Sequence, residues 1–238
     1  FNKLPTHWKY HYEKLVHDAK ILKIQAPNEK FFIDDINVLF AKNNRTFVAK
    51  FIITRGFSDR GYSIPANISP NRILIKSDYK PLKSECYEKG VELEFSNIRL
   101  AINNSLGSIK HLNRLENVLA KQELSAHSFD AIMLDDKGYI NECASHNIVM
   151  RSGDNLYFPK QNDIGVSGVS IMIVMTYAEQ LALKVVECQF TEEQLLHADE
   201  IVIINSVNGA VPVNKIKNKK WNSTKLAYEI NKLFKRIS

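Results

Sequence analysis

The chain has 238 residues, 45% hydrophobic and 24% charged, which suffices for a sizeable core in one large or two small domains. Its net charge of +6 and isoelectric point near 9.1 would suit nucleic acid, but equally a dianionic metabolite or a phosphorylated cofactor. Three widely spaced cysteines (Cys86, Cys143, Cys188) form neither a disulfide framework nor a Cys-x-x-Cys pair, no apolar run could span a membrane, and no signal peptide is visible at Phe1; a cytoplasmic protein with no membrane partner is expected.

In chain order, Tyr12, Leu15, Ala19 and Leu22 make a first helical stripe. Thr46 to Thr54, Ile73 to Ser77 and the run Val91, Leu93, Phe95 alternate as strands. Arg55 to Asn67 is a loop containing glycine and proline, of the kind that often carries binding residues. Ala101 to Ser108 is small, polar and turn-forming, and is the candidate linker. It divides the chain into a small domain at 1–102, a linker at 103–109 and a larger domain at 110–238.

Lys110 follows that linker directly. Leu112, Leu115 and Leu119 then recur on one helical face, which puts Lys110 at a helix N-terminus. Unpaired amides and the macrodipole there disfavour an ammonium ion and favour the neutral amine, the form that attacks carbonyls. A surface lysine preceding a helix fits the same run.

Further on, Ile132 to Leu134 and Ile148 to Arg151 are short strand-like runs. Gly168 precedes a helix marked by Val174, Tyr177, Ala178 and Leu181, and Val186, Cys188 and Phe190 alternate. Thr191 and Gln194 form a capping-box pattern opening a helix over 192–198. Ile201 to Ile204 reads as a buried strand, and Leu226, Ile230, Leu233 and Phe234 as a closing amphipathic helix. The basic cluster Lys215 to Lys220 lacks interleaved aromatics and reads as a solvated turn; no nucleic-acid partner is expected. His7 and His11 have no third ligand near them in sequence, so no metal site is expected. The fold class is α/β or α+β in two parts.

Four segments occur in order: Lys110-His111-Leu112-Asn113-Arg114-Leu115-Glu116, Asp135 to Asn147, Gly165-Val166-Ser167-Gly168-Val169-Ser170, and Asp199 to Ser206. Together they resemble the fold-type IV pyridoxal-phosphate enzymes, a group holding the branched-chain and D-amino-acid aminotransferases and 4-amino-4-deoxychorismate lyase. The resemblance runs from about Trp8 to the C-terminus. The Lys110 run, with Arg55-Gly56 and Arg60-Gly61-Tyr62-Ser63 upstream, is most similar to the lyase branch.

The resemblance implies a small N-terminal α/β domain and a larger α/β pseudo-barrel domain that binds pyridoxal 5'-phosphate. It implies a homodimer acting on a small molecule, and for the lyase branch the conversion of 4-amino-4-deoxychorismate to 4-aminobenzoate and pyruvate on the way to folate. The alternatives are an aminotransferase for D- or branched-chain amino acids, and an inactive homologue that only binds. By the same resemblance Lys110 is the Schiff-base lysine and proton shuttle, and Glu142 faces the pyridine nitrogen. Gly168, Val169 and Ser170 open a helix toward the phosphate, with Ser206 as a second contact. Lys14 stands where the family pattern has a phosphate-gripping arginine, and offers a point charge without the bidentate fork. Arg60 is the candidate for the substrate carboxylates. On residues alone, Glu142 could be a loop carboxylate, Ser206 a strand-end turn residue and Arg60 a solvated arginine. The chain begins where the resembled enzymes are past the first strands that carry a Gly-Asp-Gly segment, so the small domain is expected to lack them.

Overall fold

A computed structural model describes residues 4–40, 45–161 and 163–237. The chain divides into two compact units, Phe1–Pro81 and Leu82–Ser238.

The smaller unit holds helices α1 (Trp8–Ile21) and α2 (Glu29–Phe40) and strands β1 (Phe47–Thr54) and β2 (Asn71–Asp78). The strands pair antiparallel from Phe47↔Asp78 to Thr54↔Asn71. Trp8, Phe32 and Ile36 are buried, with Tyr12, Leu15, Phe51 and Leu74 packed on them. The Trp8 indole N–H donates to Glu29 Oε1 at 2.8 Å, so the largest ring in the cluster buries its body and satisfies its polar tip.

The larger unit is a mixed sheet with helices. Its elements are α3 (Ser84–Glu88), β3 (Val91–Leu100), α4 (Leu115–Gln122), β4 (Asp130–Asp135), β5 (Ile140–Cys143), β6 (Asn147–Ser152), β7 (Asn155–Pro159), α5 (Val169–Thr176), β8 (Lys184–Cys188), α6 (Glu192–Leu196), β9 (Glu200–Asn205), β10 (Gly209–Ile216), β11 (Lys219–Lys220) and α7 (Lys225–Arg236). A 3-10 turn at Ala178–Leu181 follows α5. The strand order is β5-β4-β3-β10-β9-β6-β7-β8, with β11 beside β10. β3 pairs parallel with β4 and β10, and β7 with β8; the other pairings are antiparallel. Strand β5, at one end of this order, also packs against β6 and β7, so the sheet curls into a half-barrel.

β4, β5, the first four residues of β6 and the first five of β9 are buried residue by residue instead of alternating, as expected where both faces of a sheet are covered. The core runs from Val91 and Leu93 through Ile132, Ile148, Ile201 and Ile203 to Phe190, Leu195 and Trp221. The Thr191–Gln194 capping box forms and opens α6. α7 lies on β10 and β9; its Asn231 amide donates to Ala210 O at 2.7 Å and accepts from Ala210 N at 2.9 Å. Among the described residues no helix is long and apolar enough to cross a membrane.

The compact units meet at Pro81/Leu82, whereas the composition of the chain placed the small domain at 1–102 and a linker at 103–109. Strand β3 accounts for the difference, because its hydrogen bonds lie between β4 and β10 inside the large sheet. Residues 101–109 are a turn-rich connection within the larger unit.

Candidate active site

The connection before α4 differs from the helix expected at Lys110. Helix α4 starts at Leu115, five residues on, and its buried side is marked by Ala120. Leu112, Leu115 and Leu119 are 66%, 70% and 47% exposed, so the helical stripe points outward. The chain is held in a different shape by local contacts. Ile109 is fully buried, Ser108 takes a left-handed φ of 64°, and the Arg114 guanidinium donates to Ile109 O at 2.6 Å. A helix-dipole effect on the Lys110 amine therefore has no basis in this fold, and its environment comes from neighbouring charges.

One of these is Glu142 on β5. Its side chain is buried at 3% exposure. Val166 N donates to Oε2 at 2.8 Å, and Asn117 Nδ2, from α4, approaches Oε1 at 3.3 Å. Burial pushes the Glu142 carboxyl above its ordinary range; the charge of Arg114, the Val166 amide, the Asn117 amide and the charge of Lys110 pull it back without cancelling the rise. Glu142 and Lys110 thus share one electrostatic neighbourhood, with Arg114 as a third member. The Asn117 amide also donates to Ala144 O at 3.1 Å, while its oxygen is buried without a hydrogen-bond partner among the described residues.

The Gly165–Gly168 loop threads between these groups. Gly165 has φ 69°, and a Cβ there would lie 2.0 Å from Asn141 Oδ1 and 3.1 Å from Glu142 Oε2. Asn147 Nδ2 donates to Val166 O at 2.8 Å, and Ser167 N donates to Ser108 O at 2.9 Å. The second bond ties this loop to the segment leading into Lys110. Gly168 is the N-cap of α5, and a Cβ there would meet Asn147 Oδ1 at 2.2 Å. The first helical backbone bond of α5 is Met172 N to Gly168 O at 3.0 Å, so the amides of Val169, Ser170 and Ile171 lack helical acceptors. The Ser170 hydroxyl is 3.0 Å from that of Ser206 in the β9–β10 turn. A helix start with free amides and two adjoining hydroxyls is an anion site by its chemistry.

Lys14 and Arg60 belong to the smaller unit. Lys14 is buried on α1 and ion-paired with Asp18 one helical turn on. Arg60 is exposed in the loop between β1 and β2. Among the described residues no cluster of three or more His, Cys, Asp or Glu side chains could hold a metal ion.

Arg114, Asn117 and Asn147 are functional candidates that the sequence reading did not single out. Arg114 and Asn117 are three residues apart at a helix start, a spacing that places both on one face. Asn147 carries no such local signal, since it acts on a loop some twenty residues away.

The residues fit pyridoxal phosphate: a lysine amine, a buried carboxyl of raised proton affinity and a phosphate-type helix start lie in one connected region of the larger unit. Together with the half-barrel sheet, the fold defines the class as a fold-type IV pyridoxal-phosphate enzyme. More narrowly, residues 1–216 match the family described as Amino-transferase class IV, and the chain belongs to that family. It is 30% identical over 233 residues to an aminodeoxychorismate lyase of Vibrio harveyi, covering 97% of this chain and 84% of the relative. The crystal structure of 4-amino-4-deoxychorismate lyase from Pseudomonas aeruginosa superposes with a TM-score of 0.88 at 30% identity, covering 98% of this chain and 86% of that one. A branched-chain-amino-acid aminotransferase of Escherichia coli strain K12 is 25% identical over 215 residues, covering 87% and 69%.

Proposed function

We propose that the protein is a pyridoxal-phosphate lyase that converts 4-amino-4-deoxychorismate to 4-aminobenzoate and pyruvate. The observation that carries this reading is the near full-length likeness, at 30% identity, to aminodeoxychorismate lyases, with the Lys110 run and Glu142 in one electrostatic neighbourhood.

In this reading Lys110 holds the cofactor through its amine, Glu142 faces the ring nitrogen, and Gly168, Val169, Ser170 and Ser206 receive the phosphate. On the family resemblance alone, Lys14 is the candidate for a phosphate contact and Arg60 for the substrate carboxylates. The bound cofactor supplies an electron-withdrawing pyridinium ring that disperses negative charge at the reacting carbon. As a buried carboxylate beside the ring nitrogen, Glu142 would hold that nitrogen protonated through an ion pair that offsets the burial now raising its carboxyl. Once the substrate's amino group had displaced it from the cofactor, the freed Lys110 amine would take the proton from the substrate carbon bearing that group. That electron pair completes the aromatic ring as the carbon–oxygen bond to the enolpyruvyl group breaks, and enolpyruvate takes up a proton to become pyruvate. Arg114, whose charge offsets that of Glu142, keeps the buried carboxylate compensated. A homodimer in the cytoplasm completes the proposal.

The second reading is an aminotransferase, favoured by the branched-chain relative. The test is turnover of 4-amino-4-deoxychorismate by protein saturated with pyridoxal phosphate and without any keto acid. The lyase releases 4-aminobenzoate and pyruvate in a one-to-one ratio. Turnover that requires a keto acid and shows ping-pong kinetics would replace the lyase with the aminotransferase. Failure to turn over any amine would leave a binding protein.

A further inference from the structure

Behind the β5–β6 and β9–β10 turns lies a buried polar chain that the proposed chemistry does not use. Asp130, at the start of β4, is fully buried. It accepts from the Ser145 hydroxyl at 2.8 Å and from His146 Nδ1 at 2.6 Å, and Lys121 Nζ lies 2.8 Å from its other oxygen. Burial pushes this carboxyl up, but the hydrogen bond from His146 and the charge of Lys121 help to hold it below its ordinary value, so Asp130 remains a carboxylate. Donating from Nδ1 leaves Nε2 of a neutral imidazole as an acceptor. That atom is 3.1 Å from Asn208 Nδ2.

Asn208 closes the β9–β10 turn. Its backbone oxygen accepts from the Tyr87 hydroxyl at 2.8 Å, and its backbone N–H donates to Asn205 Oδ1 at 2.7 Å. Asn205 in turn donates to Ser145 O at 3.1 Å. The turn is thus fastened at both ends to the consecutive residues Ser145 and His146. Ser206 sits between these fastenings, is itself exposed, and meets the hydroxyl of buried Ser170.

We propose that His146 is a positioning residue for phosphate binding: by linking buried Asp130 to Asn208 it fixes the Ser206–Asn208 turn so that the Ser206 hydroxyl stays beside Ser170 at the start of α5. The inference rests on the reading of that helix start as the phosphate site. An exposed turn without the link samples other conformations, and the ordering cost then falls on the ligand.

The test compares two ligands, pyridoxal phosphate and pyridoxal, titrated into the full chain and followed by cofactor absorbance. In H146N the new amide takes the place of Nδ1, keeping Asp130 and losing Asn208. In H146Q the longer amide reaches the place of Nε2 and keeps Asn208. N208A cuts the same link from the exposed side and leaves the buried ion pair intact. H146N and N208A are expected to weaken pyridoxal phosphate about three- to tenfold, the worth of one hydrogen bond, while pyridoxal changes by less than about twofold. H146Q, which keeps Asn208 but not the bond to Asp130, should fall between wild type and H146N, and S206A should add little to N208A. Equal losses for both ligands, or unchanged pyridoxal phosphate affinity in N208A, would overturn the inference. Wild-type protein that binds pyridoxal phosphate no more tightly than pyridoxal would instead remove the phosphate site itself, and the inference with it.

Discussion

Replacing Gly168 by alanine tests the packing that holds the phosphate-binding end together. The backbone at Gly168 has φ −70° and ψ 149°, which alanine adopts freely, so the dihedrals add no strain. The added Cβ would lie 2.2 Å from Asn147 Oδ1, where ordinary van der Waals contact begins near 3.4 Å. Asn147 must withdraw by about 1 Å, and turning its amide pulls Nδ2 off Val166 O, now at 2.8 Å. Overpacking plus a weakened buried hydrogen bond costs about 2–4 kcal/mol, offset by about 0.4–1 kcal/mol from the stiffer unfolded chain. The net expectation is about 1–3.6 kcal/mol of destabilisation. The chain has two tryptophans, Trp8 in the smaller unit and Trp221 in the larger, so urea unfolding in a W8F background reads Trp221 alone. A double-mutant cycle sharpens the test. In N147A the obstacle is gone, and G168A should become neutral or stabilising by up to about 1 kcal/mol. A G168A penalty that persists in N147A, or none in the parent, would refute the steric reasoning.

Two carboxylates should show opposite pH dependences in unfolding experiments on cofactor-free protein. Glu142 has a folded pKa above its usual 4.5, so its contribution is fully present below that value and is lost as pH rises through the raised one. E142Q should therefore exceed wild type by about 1–3 kcal/mol at neutral pH, with the gap closing toward pH 4; a gap independent of pH would count against the buried carboxylate. Glu200 behaves in the reverse sense: burial raises its carboxyl, but bonds from the Ser223 hydroxyl, the Leu226 amide and Arg151 hold it lower overall. Its stabilisation is present above 4.5 and lost as pH falls through the lower folded value, so E200Q should cost about 1–2 kcal/mol at neutral pH and flatten the acid limb. Unchanged acid sensitivity in E200Q would contradict that assignment.

What the chain discloses by itself depends on the range of the interaction. The capping box at Thr191–Gln194 and the apolar run Ile201 to Ile204 are local signals, and both elements form where read. Helix α2 had a comparable signal, with Asn28 Oδ1 accepting from Lys30 N and buried Phe32 and Ile36 four residues apart, yet it was not singled out. Strand β10 is harder to see because Pro212 interrupts it. The proline is tolerated where pairing with β9 ends and pairing with β3 begins at Val213. Lys110 shows the limit of periodicity: the leucines that follow are spaced as on a helix, but spacing does not say which side is buried. The site itself is made of distant pairs, Asn117 with Glu142, Asn147 with Gly168 and Ser170 with Ser206, which follow from sheet order and not from any local pattern. The motif residues were legible through their resemblance to a family; the asparagines and His146 that hold them became visible only in the fold.

The central claim is that Lys110 carries the cofactor. It is tested most directly by mixing the protein with pyridoxal phosphate, reducing with borohydride, digesting and locating the pyridoxyl group by mass spectrometry. The account requires one dominant adduct, on Lys110, absent from K110A of unchanged circular dichroism. Adducts scattered over exposed lysines, or an equal yield in K110A, would contradict it.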